Sequence, residues 1–504
     1  MKDALATLTL DAPLPYGARM SALAAADPDA TALVCDSPDG QRCYSRAELD
    51  AWANRLARYY ASLGLERGDI ATVALENGAE YIATCLAVWK LGAIPNPVSH
   101  RLPPRERDVI VERADPRLVI GVPAGTYGER VCVPGGQMAS AFDEVPLPSA
   151  APPYERAMTS GGSTGLPKLI IATVPAIYDP AAASPLFLAR HAVLVPGPLY
   201  HGAPFSSAFQ GLFAGCRVVL MHRFDAARCL ALIDEHRVDR MMMVPTMLQR
   251  IWRLPDEERA RADLSSLEFI LVGGAPCPAW LMRAWIEWVG PDVMHEAFGS
   301  SERAGGTFIS GREWLEHPGS VGRPSPGCQL KILDEQGREL PPGEMGEIYV
   351  LPDAGQGATY RYVGAEPRAT HDGWESVGDM GYLDDAGYLY LGDRRTDMIV
   401  SGGRNIYPAE VEAALDACPG VRSSAVIGLP DDDLGQRVHA IVDVAGDAPD
   451  ETALRRHLER ELVRYKLPRS IEWVHAPLRD DAGKVRRSAL REARLAMDVR
   501  SGES

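Results

Sequence analysis

Apolar residues recur along this chain in two alternating rhythms. Residues 46–63 carry Leu49, Trp52, Ala53, Leu56, Tyr59, Tyr60 and Leu63 at helical spacing, and Gly64 is placed to stop the helix. Residues 70–75 then read as a short buried strand, 77–91 as a helix ended by Gly92, and 118–122 as another apolar run. After a stretch rich in Gly, Pro and small residues (122–157), the alternation resumes. Strands are expected at 192–199, 216–221, 241–244 and 267–272, and helical segments at 209–213, 230–238 and 280–289. Strand and helix in turn predict a doubly wound α/β layer. From about residue 320 the texture shifts to short strands and turns, as in a small β-barrel or meander. A polar knot at 392–397 marks a domain boundary. The last hundred residues read as a compact unit, with helices from 406 to about 415 and over 451–464, and strands at 424–428, 439–444 and 470–473. The fold class expected is therefore α/β. A large N-terminal domain (1–393) of doubly wound layers plus a small β-barrel is followed by a hinge (394–396) and a smaller, mobile α+β C-terminal domain (397–504).

Composition narrows the picture. At 504 residues the chain exceeds one ordinary core. A net charge of −16 argues against a nucleic-acid surface and for a small-molecule enzyme. The nine cysteines form no CxxC pair, so neither a zinc site nor a disulfide framework is suggested. No leader-like or membrane-length apolar run occurs, so a cytoplasmic protein without membrane insertion is expected. Only six of the 52 basic residues are lysine, and two of them, Lys168 and Lys484, sit inside glycine-containing motifs.

The first of these motifs is Thr159-Ser160-Gly161-Gly162-Ser163-Thr164-Gly165-Leu166-Pro167-Lys168. Glycines free backbone N–H groups to face an anion, hydroxyls add donors, and the lysine adds a point charge. It is not a Walker A loop, because Leu166 and Pro167 separate Gly165 from Lys168. By itself it reads equally as a surface loop. His201, at a strand-to-loop junction, is either a capping residue or the gate of a carboxylate pocket. In the segment 294–302, Phe298 has the chemistry to stack on a base and Glu302 to hold magnesium beside phosphates, and a turn with one core Phe is the plain alternative. Asp379 is either a turn residue or an acceptor for ribose hydroxyls. Lys484 taken alone is a turn lysine.

In order, TSGGSTGLPK, GGAP, FGSSE, VGD, DRR, SGGRNIYPAEVE and GKVRR resemble the adenylate-forming superfamily of acyl-CoA synthetases, carrier-protein adenylation domains and luciferase, over nearly the whole chain. Within it the chain looks most like acyl-CoA ligases. Gly161, and Leu169 just past the lysine, depart from the commonest phosphate loop and resemble the branch of bile-acid, steroid and alicyclic-acid CoA ligases. The resemblance implies two steps: a carboxylic acid attacks the α-phosphate of Mg-ATP, and the thiol of coenzyme A then displaces AMP from the acyl-adenylate. It implies that the loop from Thr159 through Ser160, Gly161, Gly162, Ser163, Thr164 and Gly165 to Lys168 holds the β- and γ-phosphates. Gly273, Gly274 and Ala275 pass beside adenine and the acyl group. Phe298 stacks on adenine, and Glu296, Gly299 and Ser300 belong to the same nucleotide wall. Ser301 and Glu302 sit at the α-phosphate, Glu302 with the Mg2+ ion, and Asp379 and Arg394 hold the ribose. His201 gates the carboxylate, Lys484 bridges carboxylate and α-phosphate, and Gly402 and Gly403 let the thiol arm approach.

The partners so implied are a carboxylic acid, bulky cyclic or aryl, or its adenylate, together with CoA and no nucleic acid; a homodimer is compatible. Thr396 at the hinge, where Asp or Lys is common, puts the balance of domain orientations in question, and Gly161 does the same for pyrophosphate handling. Three other readings stay open: a ligase that performs only the thioester step on a preformed adenylate, an enzyme loading a carrier protein, and a non-catalytic nucleotide-binding protein.

Overall fold

In the computed structural model, the helix expected near residue 46 runs over Arg46–Ser62 and opens with a capping box. The Glu48 backbone N–H donates to Ser45 Oγ (3.1 Å), and the Ser45 N–H donates to the Glu48 carboxylate (2.8 Å). The structure describes residues 10–148, 151–160, 167–182, 189–394, 397–402, 404–431, 433–444, 446, 448–480 and 483–501.

Six strands lie side by side and parallel in the largest sheet. Thr31–Ser37, Arg217–Met221, Ala192–Val195, Arg240–Met243, Phe269–Val272 and Met294–Gly299 follow one another across it. Helices Ala226–His236, Pro245–Trp252 and Ala279–Val289 cover one face through Leu232, Ile233, Leu248, Ile251, Leu281 and Trp285, all buried. A second parallel sheet joins Ile94–Pro97, Ile70–Val73, Leu118–Ile120 and Val131–Val133. Helices Arg46–Ser62, Ala79–Lys90 and Gly202–Phe213 fill the space between the sheets. Trp89 stands at the centre, with edge-on contacts to Tyr16, Phe205, Phe209 and Phe213, and its indole N–H donates to the Glu155 carbonyl (2.8 Å). The doubly wound architecture predicted from the alternation is therefore present. Val131–Val133 is a strand inside the segment whose composition suggested a connection.

The antiparallel strands from Gly306 to Arg394 do not stand apart. All but one continue the edge of the large sheet, pairing onward from Met294–Gly299, and pack around Val321, Ile332, Ile348, Val350 and Leu389, whereas Tyr360–Val363 joins Lys168–Ala172 and Ala157–Ser160 in a separate three-stranded sheet. The C-terminal part has its own core of Ile406, Val411, Leu415, Val426, Val438, Ala440 and Leu454. There the strands Val421–Asp431 and Gly435–Val444 form a long antiparallel pair, and Ser470–Val474 adds in parallel.

Candidate active site

Both glycine motifs that the resemblance assigns to the nucleotide lie at the carboxyl ends of parallel strands, where open α/β sheets bind ligands. Phe269–Val272 runs into Gly273-Gly274, and Met294–Gly299 runs into Ser300. A Cβ on Gly273 would meet the Ala297 carbonyl oxygen at 3.0 Å, so a side chain there would press on the neighbouring strand. Gly274 has φ +83°, in the left-handed region. Ala275 is half-buried beside it.

Register brings the two ends of the Thr159–Lys168 motif together: Ser160 lies opposite Lys168 in the antiparallel pair Ala157–Ser160 and Lys168–Ala172. Gly161, Gly162, Ser163, Thr164 and Gly165 fall outside the described residues. Thr159 Oγ1 is buried and has no hydrogen-bond partner among the described residues. Lys168 Nζ lies 3.7 Å from the Tyr362 ring centroid and 3.4 Å from Glu302 Oε1. Tyr362 in turn donates its hydroxyl to the same Glu302 oxygen at 2.6 Å. Burial and then the Glu302 charge push the Tyr362 hydroxyl far above its ordinary range, so it stays a donor. Tyr362 was not foreseen. The trace in the sequence is Tyr360 and Tyr362 two apart, on one face of the strand Tyr360–Val363.

Phe298, Ser300 and Asp379 line one small cleft together with Ala304, Gly305, Ile348, Val350 and Val377. Asp379 opens the strand Asp379–Leu383, and its partner in register is Arg394, the last residue of Leu389–Arg394. The ladder thus brings together two residues that the sequence separates by a turn and a strand. Gly299 pairs with Gly306 at the end of the same wall. Glu296 is buried and accepts from the Cys277 N–H (3.3 Å). Burial pushes its carboxyl up to about 8. His201 precedes the helix Gly202–Phe213, and its ring lies tilted against Tyr200 with centroids 4.6 Å apart. A Cβ placed on Gly202 would lie 3.7 Å from Ser301 Oγ, so the Ser301 loop and the His201 junction touch.

The turn that carries Lys484 meets the large part through Gly483. The Lys484 backbone N–H donates to Asp480 Oδ1 (2.9 Å), and the Asp480 N–H donates to the Lys484 carbonyl (3.0 Å), which closes a tight loop. Arg479 braces the loop by donating to the Gly483 carbonyl (3.2 Å) and to Glu412 (2.9 Å). Gly483 has φ +74°, and a Cβ there would meet Thr246 Oγ1 at 2.6 Å and Val244 at 3.4 Å. Val244 is also the side chain nearest the Cβ position of Gly274. One valine thus separates the GGAP loop from the Lys484 loop. Arg253 donates to the carbonyls of Asp416 and Arg422, and Arg486 pairs with Glu106 at 2.9 Å. Gly402 makes its described contacts within its own part, its N–H donating to the Leu434 carbonyl (2.9 Å). Gly403 and Thr396 lie outside the described residues.

The family profile described as AMP-binding enzyme matches residues 21–355, and that of the AMP-binding enzyme C-terminal domain matches 410–484. The chain belongs to the AMP-binding enzyme family, within the adenylate-forming superfamily and among its acyl-CoA ligases. It is 30% identical to the long-chain-fatty-acid–CoA ligase FadD13 of Mycobacterium tuberculosis over 93% of this chain and 96% of that protein. It is 34% identical to a feruloyl-CoA synthase of an Amycolatopsis species, over 90% and 94%. Among solved structures, it resembles o-succinylbenzoate CoA synthetase (MenE) of Bacillus subtilis in complex with the acyl-adenylate intermediate OSB-AMP. The TM-score is 0.79 and the identity 27%, over 96% of this chain and 99% of that one. The same synthetase has been solved with ATP and a magnesium ion. No helix among the described residues is long and apolar enough to cross a membrane.

Proposed function

We propose that this protein activates a carboxylic acid with ATP and magnesium and transfers the acyl group to coenzyme A. The single observation that carries the reading is the contact of Gly483 with Val244 and Thr246, which brings the Lys484 loop beside Gly274 while Lys168 and Glu302 face each other across the same site. In this reading the hinge lies at 394–396, and the observed arrangement is the one that performs the first half-reaction.

The residues present suit the absent groups. Thr159 Oγ1 is an orphaned buried polar atom at the mouth of the phosphate loop. Glu302 is one carboxylate, and the described residues hold no cluster of three metal-binding side chains, so a magnesium ion there would share its coordination with phosphate oxygens. That ion supplies neutralisation of charge on the phosphates. Lys168, the loop N–H groups and the loop hydroxyls hold the β- and γ-phosphates. Asp379 and Arg394 hold the ribose, and Phe298 meets adenine. Lys484 bridges the substrate carboxylate and the α-phosphate. A carboxylate oxygen then forms a bond to the α-phosphorus as the bond to pyrophosphate breaks. Little covalent help is needed for such a transfer; position and charge do the work. In the second step the small domain turns so that the hairpin with Gly402 and Gly403 meets the thiol. The sulfur forms the thioester bond and AMP leaves with the bonding pair.

The acid is proposed to be bulky, cyclic or aryl, because the junction beside His201 is built from Gly202, Ala203, Ser206, Ser207 and Ala208. The relatives act on fatty, feruloyl and o-succinylbenzoyl acids by name, so this point stands on the residues alone. Mass spectrometry with ATP, Mg2+, CoA and a panel of carboxylic acids tests the proposal. AMP and acyl-CoA forming together are expected. Acyl-CoA only from a supplied acyl-adenylate would leave a thioester-only ligase, and nucleotide binding with no turnover would sink both readings.

A further inference from the structure

Two guanidinium groups and one carboxylate meet in the wall beside the His201 junction. Arg303 Nη1 lies 2.6 Å from Glu155 Oε2, and Arg156 Nη1 lies 3.5 Å from Glu155 Oε1. Both arginines also donate to Ser206 Oγ, Arg156 at 2.9 Å and Arg303 at 3.2 Å. Arg156 and Glu155 are buried, with side chains 3% and 5% exposed. Among the described residues Glu155 is the one carboxylate at either guanidinium, so the cluster keeps an unbalanced positive charge. Because Arg303 is partly exposed, water carries that surplus in the free protein, and an anion arriving from solvent would complete it with charge-assisted hydrogen bonds. Burial, and then the neighbouring Arg303, hold the Arg156 guanidinium down at about 10.

Three features turn this charge toward the junction of His201, Gly202 and Ser301. Arg303 is not closed in: its side chain is 36% exposed. Its backbone has φ +54°, in the left-handed region that a residue with a side chain adopts at a cost, directly after the Ser300-Ser301-Glu302 turn. Arg156 Nη2 lies 3.9 Å from the Cβ position of Gly202, the position that is also 3.7 Å from Ser301 Oγ. Ser206, accepting from both arginines, keeps its own proton for a guest.

We infer that the acid activated here carries a second carboxylate, which seats against Arg303, Arg156 and Ser206. The inference rests on the ligase reading above. Ser206 is five residues past His201 on the helix Gly202–Phe213. At the helical rise Ser206 lies on the order of 7 Å along the axis from His201, and the two carboxylates are taken to be about that far apart. The substrate class is then a dicarboxylic acid of that span, its far end held by a charge-assisted fork.

The test uses the whole chain with ATP, Mg2+ and CoA. Adipate, pimelate, suberate and homoterephthalate are each assayed beside their monomethyl esters, which keep the length but lose the far charge. In the unaltered enzyme at least one diacid is expected to exceed its monoester in kcat/KM by roughly 10–100-fold. Arg303→Met should erase that preference by raising the diacid's KM, and Arg303→Lys should restore part of it. Ser206→Ala, a smaller change inside the helix, should weaken the preference in the same direction. Equal use of diacid and monoester, or an Arg303→Met loss shared equally by both, would overturn the inference. Turnover of other monocarboxylic acids with none of any diacid would overturn it and leave the ligase reading standing. No AMP from any acid would sink that reading as well.

Discussion

The two lysines of the site are held by opposite means. Lys168 begins the central strand of a three-stranded antiparallel sheet, its place fixed by register with Ser160 and its ammonium fixed by Tyr362 and Glu302. Lys484 is tied back to Asp480 by paired hydrogen bonds, and its neighbour Gly483 rests on Thr246 of the large part. The first lysine belongs to the architecture, and the second belongs to an arrangement of two bodies. The lesson is one of separable chemistry. Damage to the first should follow the nucleotide wherever it goes, whereas damage to the second should touch one half-reaction.

The largest effect that can break this contrast is Lys484→Ala. Adenylation should fall by roughly 10²–10³-fold or more, as for loss of a donor aimed at developing charge. Thioester formation from a supplied acyl-adenylate should stay within a few-fold. Lys168→Ala should instead raise KM for ATP. Quenched assays of the two half-reactions decide: if Lys484→Ala lowers both equally, the contrast is wrong.

A middle-sized effect sharpens the role of the seat. Gly483→Val places a β-branched residue at φ +74° against Thr246. Adenylation should drop by about 10–100-fold with the thioester step spared. Adding Thr246→Ala should recover part of the loss by relieving the contact, though not the backbone strain. Unchanged adenylation in Gly483→Val would show that the seat is not needed.

The smallest effect concerns the fixed wall alone. The Glu296 carboxyl, at about 8 in the folded chain against 4.5 in the open one, binds a proton that the unfolded state has released. The folded state therefore loses stability as pH rises from about 4.5 toward 8, by ~3 kcal/mol at pH 7. Glu296→Gln removes this penalty while keeping the shape. Its gain over the native chain in urea denaturation should grow with pH across that window. A gain independent of pH would assign the effect to packing instead.

Much of this was legible beforehand, and particular residues show where reading stopped. Helix Arg46–Ser62 announced itself through apolar spacing and the stop at Gly64, whereas its capping pair Ser45 and Glu48 went unread. The strand Phe269–Val272 and the loop Gly273-Gly274 were visible because an unbroken apolar run meets two glycines. The Asp379–Arg394 pairing was named only through family resemblance, because register between strands is a tertiary fact. The seat of Gly483 on Thr246 was invisible for the same reason: nothing local links positions so far apart. Glu155, Arg156 and Arg303 passed unnoticed because adjacent opposite charges look like ordinary surface, and only burial reveals their cost. The start of the helix at Gly202 was hidden by Pro204, which is tolerated in a first turn but reads as a break.

One consequence follows from the ladder that ends at Arg394. The strand Leu389–Arg394 is the last element before the small domain, and its final residue faces Asp379. Anyone building chimeras by exchanging the C-terminal part must leave that strand whole. A splice placed before Arg394, or an insertion beside it, would disturb its pairing with Asp379, and under the proposed function the hybrid is expected to lose ATP affinity even with a perfectly folded graft.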